Sequence, residues 1–188
     1  MTHRLFRWIY VLFSGVHLSA SILLPVVPLF CKTVLGVGPV GYGAIAAAGG
    51  LGAALGAMSV PAISAMIGRQ WLVRVVVIGT TVALAAGAMA SSVVGGASAI
   101  ALFWACTAAF QVASVSLLQH LAPREILGRV SSCLALFSSG IGPVGAIIGT
   151  TLAVQCGLRA PFFASTALMA SIGAVALFRM RWGRHRAR

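Results

Sequence analysis

The stretch Tyr42–Ile67 reads YGAIAAAGGLGAALGAMSVPAISAMI, 26 residues without one charged side chain. A hydrocarbon layer of ~30 Å is crossed by about 20 apolar residues in α-helix. Lipid offers no hydrogen bonds to the backbone, so a single crossing segment must satisfy its own N–H and C=O groups, as a helix does. Barrel strands would alternate apolar and polar side chains, and this run does not. Five further runs of the same kind lie around it: Trp8–Phe30, Leu72–Val94, Ala99–Gln119, Val130–Val154 and Pro161–Phe178. The expected fold class is an all-α membrane protein of six transmembrane helices. Residues 1–178 form the bundle and residues 179–188 a basic tail, and the lipid bilayer is the first partner.

Composition leads to the same class. Hydrophobic residues make up 60% of the chain, charged residues 7%, and mean hydropathy is +1.06, whereas a soluble domain carries about 25% charged residues. The net charge is +12 and Glu125 is the only acid. Nucleic-acid binding would need an extended basic surface, but here the basic residues punctuate apolar runs, so no nucleic-acid partner is expected. With the N-terminus inside, Arg4, Arg7, Arg69, Arg74, Arg124, Arg129, Arg179, Arg181, Arg184, Arg186 and Arg188 fall on one side, and only Lys32 and Arg159 on the other. That asymmetry predicts a multi-pass protein of the plasma membrane with both termini cytoplasmic. Trp8, Trp71 and Trp182 sit beside arginines, where an amphipathic ring suits the membrane interface. Arg4 and Arg7 before an apolar run also resemble a signal peptide, but the run reaches Phe30, too long for a typical h-region.

Little in the chain offers reactive chemistry. Cys31, Cys106, Cys133 and Cys156 form no CxxC pair, so no metal site and no cofactor are expected. Cys31 and Cys156 fall toward the same face, which leaves a disulfide between them open. His17 is the one clear ionisable group within a predicted span. It binds substrate, relays protons or bonds a neighbouring helix, and the sequence leaves these open. Gln111, Ser114 and Ser116 are the next polar candidates, with helix-to-helix hydrogen bonding as the plainer role. No span contains Asp or Glu, so coupling to protons through a membrane carboxylate would need another chain.

Glycine spacing is more informative. Gly52 and Gly56 are four apart in the second span, and Gly145 and Gly149 are four apart in the fifth. Small residues at this spacing let helix backbones approach closely. Pro143 removes a hydrogen bond and allows a kink. Gly50-Leu51-Gly52 and Gly140-Ile141-Gly142 lie 90 residues apart, in the middle span of each three-span half, which hints at an inverted repeat.

The loop Pro123–Ser131, PREILGRVS, has the form P-x-x-x-x-G-R-V-S, and is followed by GIGPVGAIIG and GLRAPF. Together these resemble the C-terminal half of a major facilitator superfamily exporter, nearest the bacterial enterobactin and macrolide exporters. The resemblance implies one half of that fold, with 3+3 inverted repeats. Gly68 and Arg69 match the end of the family loop D-R-x-G-R-R, while Ala65 and Met66 replace its first two residues. Gly68, Arg69, Pro123, Arg124, Glu125, Gly128 and Arg129 then belong to conformational loops. Gly140, Gly142, Pro143, Gly145 and Gly149 resemble the exporters' antiporter motif, in the symmetry-related helix. The family fold has twelve helices with substrate between two halves, so the resemblance implies a second six-helix half or a homodimer, a small-molecule substrate such as a drug or siderophore, and efflux by alternating access.

Two other functions compete. One is a truncated, non-transporting membrane fragment or an assembly and interaction protein, distinguished by the absence of flux. The other is an intramembrane serine protease, with Ser138 or Ser139 as nucleophile. A base within hydrogen-bond reach is needed, and the last span contains no histidine, so the chain is not expected to be an enzyme.

Overall fold

The computed structural model describes residues 2–121 and 127–182, and these are almost wholly helical. Seven helices follow in order among the described residues: α1 (Thr2–Leu23), α2 (Val27–Thr33), α3 (Pro39–Ile67), α4 (Arg69–Met89), α5 (Val93–Leu121), α6 (Leu127–Cys156) and α7 (Ala160–Trp182). By length and apolarity, Pro39–Ile67, Trp71–Met89 and Val93–Ser116 are each able to cross a membrane, and Tyr10–Leu23 with Val27–Thr33 makes a fourth, bent crossing. Gly140–Cys156 and Ala160–Ala176 are shorter apolar stretches. Several apolar helices of this kind are what a multi-pass membrane protein contains.

The first predicted span is not one rod. α1 and α2 meet at 44°. Pro25 and Pro28 cause the break: neither has an N–H, so the carbonyls of Ser21 and Leu24 lose their usual partner four residues on. Val26 N–H instead donates to Leu23 O at 2.9 Å, and the helix resumes with Phe30 N–H on Val26 O. The third span also ends earlier than hydropathy predicts. Val93 and Val94 open α5 rather than closing α4, because Ser92 Oγ accepts a hydrogen bond from Gly95 N–H at 3.1 Å and caps the new helix. The α3–α4 and α6–α7 reversals use glycine where the chain needs a left-handed residue, Gly68 at φ 79° and Gly157 at φ 90°.

Helix directions follow from the contacts. α3 and α5 run parallel, with Gly52 over the Ala101 backbone and Gly56 over that of Ala105. α1 and α6 also run parallel, with Gly145 over Ser21 and Gly149 over the Ile22 carbonyl. α4 runs against both α5 and α7: Gly79 faces Cys106 and Gly87 faces Ala99, while Gly87 lies against Phe162 and Val77 against Gly173. α7 also runs against α1, where Gly15 meets Ile172. The long helices therefore alternate in direction along the chain.

The packing scheme has a symmetry. α3 packs chiefly on α5 and α6 chiefly on α1; α4 packs on α5 as α7 does on α1; α4 and α7 pack on each other; and α3–α4 and α6–α7 touch lightly. Exchanging α1 with α5, α3 with α6 and α4 with α7 returns the same set of neighbours. Because α1 and α5 point in opposite directions, the exchange also turns the bundle end for end. The shared core holds Val16, Phe30, Leu72, Leu84, Phe110 and Met169, all nearly inaccessible.

Candidate functional site

The clearest concavity lies in the half of the bundle away from the α3–α4 turn. It is a cavity of about 380 Å³ between the α1/α2 break and α3, floored by α4, α5 and α7. α1 and α3 scarcely touch, so the gap between them is its opening, and Leu24, Ala46 and Gly50 on the rim are exposed. Deeper in, the wall is Ile45, Phe103, Trp104, Leu84 and Phe162. Two of these rings are locked by aromatic packing. Trp104 meets Phe103 edge-on at 5.7 Å, and Phe162 meets Phe30 of α2 at 4.8 Å.

The sequence explains why space is left there. Gly49 lets the Trp104 indole lie across α3; a methyl group at Gly49 would stand 2.9 Å from Trp104 Cδ1. At Gly50 a methyl group would meet nothing within 4 Å. No lining residue is ionisable near neutral pH, and the lining residues with polar side-chain atoms are Tyr42 and Trp104. Neither side chain has a hydrogen-bond partner among the described residues.

The polar residues singled out in the sequence are elsewhere. His17 is half-buried; its ring stacks on Phe13 at 4.1 Å, and Nδ1–H donates to Phe13 O at 3.1 Å. A carbonyl can only accept, so this bond fixes the Nδ1–H tautomer when the ring is neutral. Phe13 in turn faces Phe110 of α5, with ring centroids 6.4 Å apart. Because α1 and α5 run in opposite directions, His17 lies to one side of this aromatic pair and Ser114 to the other. Ser114 is buried and Gln111 exposed. The three do not form a cluster, and none lines the cavity.

The glycines divide into two groups. Gly52, Gly56, Gly145 and Gly149 are backbone contacts: a methyl group at Gly145 would lie 2.5 Å from Ser21 Cβ, and one at Gly52, Gly56 or Gly149 would overlap the carbonyl of Ala101, Ala105 or Ile22. Gly140 and Gly142 are not packing positions, since nothing lies within 4 Å of where their Cβ would be. The offset between contact glycines is therefore 93 residues, Gly52 to Gly145, rather than 90. Pro143 lies inside a continuous α6. Gly149 also covers the Ile22 carbonyl beside the α1 break, so the fifth predicted span braces the interrupted first one.

Of the loop residues, Gly68 forms the α3–α4 turn and the Gly128 carbonyl accepts Ser132 Oγ–H at 2.9 Å. Pro123, Arg124 and Glu125 lie outside the described residues, as do the side chains of Arg69 and Arg129. At the opposite end, Arg159 Nη2 donates to Ala90 O at 3.2 Å and ties the α6–α7 link to the end of α4. Cys31 is buried, Cys156 exposed, and both are free thiols. Among the described residues no cluster of His, Cys, Asp or Glu is placed to hold a metal ion.

Sequence reasoning missed the cavity because it is built from gaps. Its one advance signal was the Pro25-x-x-Pro28 pair, which falls within an otherwise unbroken apolar run. No family model and no curated protein sequence gives a match to the chain.

Proposed function

We propose that the chain is half of a membrane transporter of the major facilitator type, moving a small molecule by alternating access together with a second six-helix half or a second copy. On this reading α1/α2, α3, α4, α5, α6 and α7 make six crossings. Supporting it above all is the inverted repeat of helix contacts, since exchange of the first three-span unit with the second preserves every principal pairing apart from that of the short α2 with α3. Repeats of opposite topology let one packing scheme open toward either side of a membrane. The glycine contacts serve this motion: they fix α3 to α5 and α6 to α1 by small, smooth surfaces rather than interlocked side chains. The loop sequence Pro123–Ser131 and the arginine distribution fit the same reading.

Membrane vesicles containing the chain alone, the chain fused to itself, and the chain with a separate six-helix half supply the test. Dye or drug flux is expected only in paired forms. Flux in none of them defeats the transport reading and leaves a non-transporting membrane protein.

A further inference from the structure

We propose that the cavity between α1/α2 and α3 binds a neutral, planar, lipophilic molecule bearing a hydrogen-bond acceptor, and that this chain binds it without a second half. The size is right: small-molecule sites run from about 300 to 1,000 Å³, and this cavity is about 380 Å³. The wall selects for flat apolar surface, because four aromatic residues, Phe103, Trp104, Phe162 and Tyr42, line it.

Charge is selected against in both directions. No cation lines the cavity, so an anionic ligand would lose its water without a partner. No acid occurs in any predicted span, so a cationic ligand would meet the same penalty in a chain that is itself strongly positive. Of the two basic residues at this end, neither lines the cavity, and Arg159 is engaged with Ala90 O.

The acceptor requirement comes from Trp104 Nε1. This N–H sits at the wall, over Gly49, with no partner among the described residues. Indole offers a donor and no acceptor, so the group it can pair with in a ligand is an acceptor. A ligand carbonyl or ether would complete it, with Tyr42 Oη available as a second polar contact. A lipid acyl chain would fill the apolar space but leave both groups unpaired. The exposed rim at Leu24, Ala46 and Gly50 opens sideways, so the ligand enters by way of the lipid phase. The site rests on the transport reading only for what happens to the ligand afterwards.

The test uses the full chain in lipid nanodiscs, with Nile red as the bound fluorophore and fluorenone, fluorene and a fluorenone carboxylate as competitors. Fluorenone should displace Nile red, and the carboxylate should not. Gly50→Leu and Ala46→Phe, which fill the opening, should each weaken binding about tenfold or more, a loss matching the few methylene-sized contacts displaced. Trp104→Phe keeps a ring but removes the donor, so fluorenone should weaken about fivefold and fluorene not at all. Helical circular dichroism checks each variant; if Gly50→Leu does not fold, Ala46→Phe carries the comparison. Binding that ignores both filling variants, equal competition by fluorene and fluorenone in the native chain, or displacement by fatty acyl chains alone overturns the proposal. Binding by the lone chain with no flux in any pairing defeats transport and leaves the site standing. Flux without binding does the reverse.

Discussion

Gly56 and Gly140 carry the same side chain in similar apolar helices, yet the structure gives them opposite roles. A methyl group at Gly56 would run into the Ala105 carbonyl, while at Gly140 it would meet open space. Gly56→Ala should therefore force α3 and α5 apart and lower stability by about 1–3 kcal/mol, the usual cost of overpacking. Gly140→Ala should be neutral or raise stability by about 0.4–1 kcal/mol through reduced backbone freedom in the unfolded chain. Unfolding of the two variants in the same detergent separates them. The buried hydroxyls supply a second contrast. Thr80 and Thr107 each donate to the carbonyl four residues back, whereas Ser19 and Ser165 Oγ are buried without a partner among the described residues. Ser165→Ala then removes an unmet polar group, and a gain of about 1 kcal/mol is expected; a lower melting temperature would show that the hydroxyl is bonded in the folded protein.

At the scale of elements, the apolar runs were readable as helices because length and apolarity mark segments able to cross a membrane. What escaped was decided by single residues that hydropathy averages away. Val93 and Val94 are as apolar as their neighbours, and only the Ser92 cap assigns them to α5. Pro25 and Pro28 split the first span without altering its hydropathy. The four-residue spacing marked the contact glycines Gly52, Gly56, Gly145 and Gly149, whereas Gly140 and Gly142, drawn in by the motif resemblance, face open space, because which glycine meets a neighbour depends on helix rotation. His17 drew attention as a rare ionisable group, and its bond to Phe13 O is local to α1, a geometry that composition does not encode. If the two prolines cause the bend, Pro25→Ala with Pro28→Ala restores both N–H donors and straightens α1/α2. Spin labels at Ser14 and Lys32 should then move apart by ~2 Å, from the helical rise over each arm and the 44° angle. An unchanged distance would place the cause in the packing of α6 against Ser21 and Ile22 instead.

For the whole molecule, the alternating helix directions make a prediction about sidedness. Gly68, joining α3 to α4, and Ser91, between α4 and α5, lie at opposite ends of α4. Single cysteines at these two positions, in a chain freed of native thiols, should label from opposite sides of a sealed membrane. From the arginine distribution, the expected side for Gly68 is the cytoplasmic one. Labelling of both from one side would remove the crossing by α4 and, with it, the inverted repeat.

The sideways mouth of the cavity has a further consequence. A site reached through the bilayer responds to how much ligand dissolves in lipid rather than in water. Two compounds with the same fit would then rank by their partition coefficients when dosed in buffer, and adding empty liposomes would dilute them both. For the proposed site, affinity would then be a property of protein, ligand and membrane together, and its natural unit mole fraction in lipid.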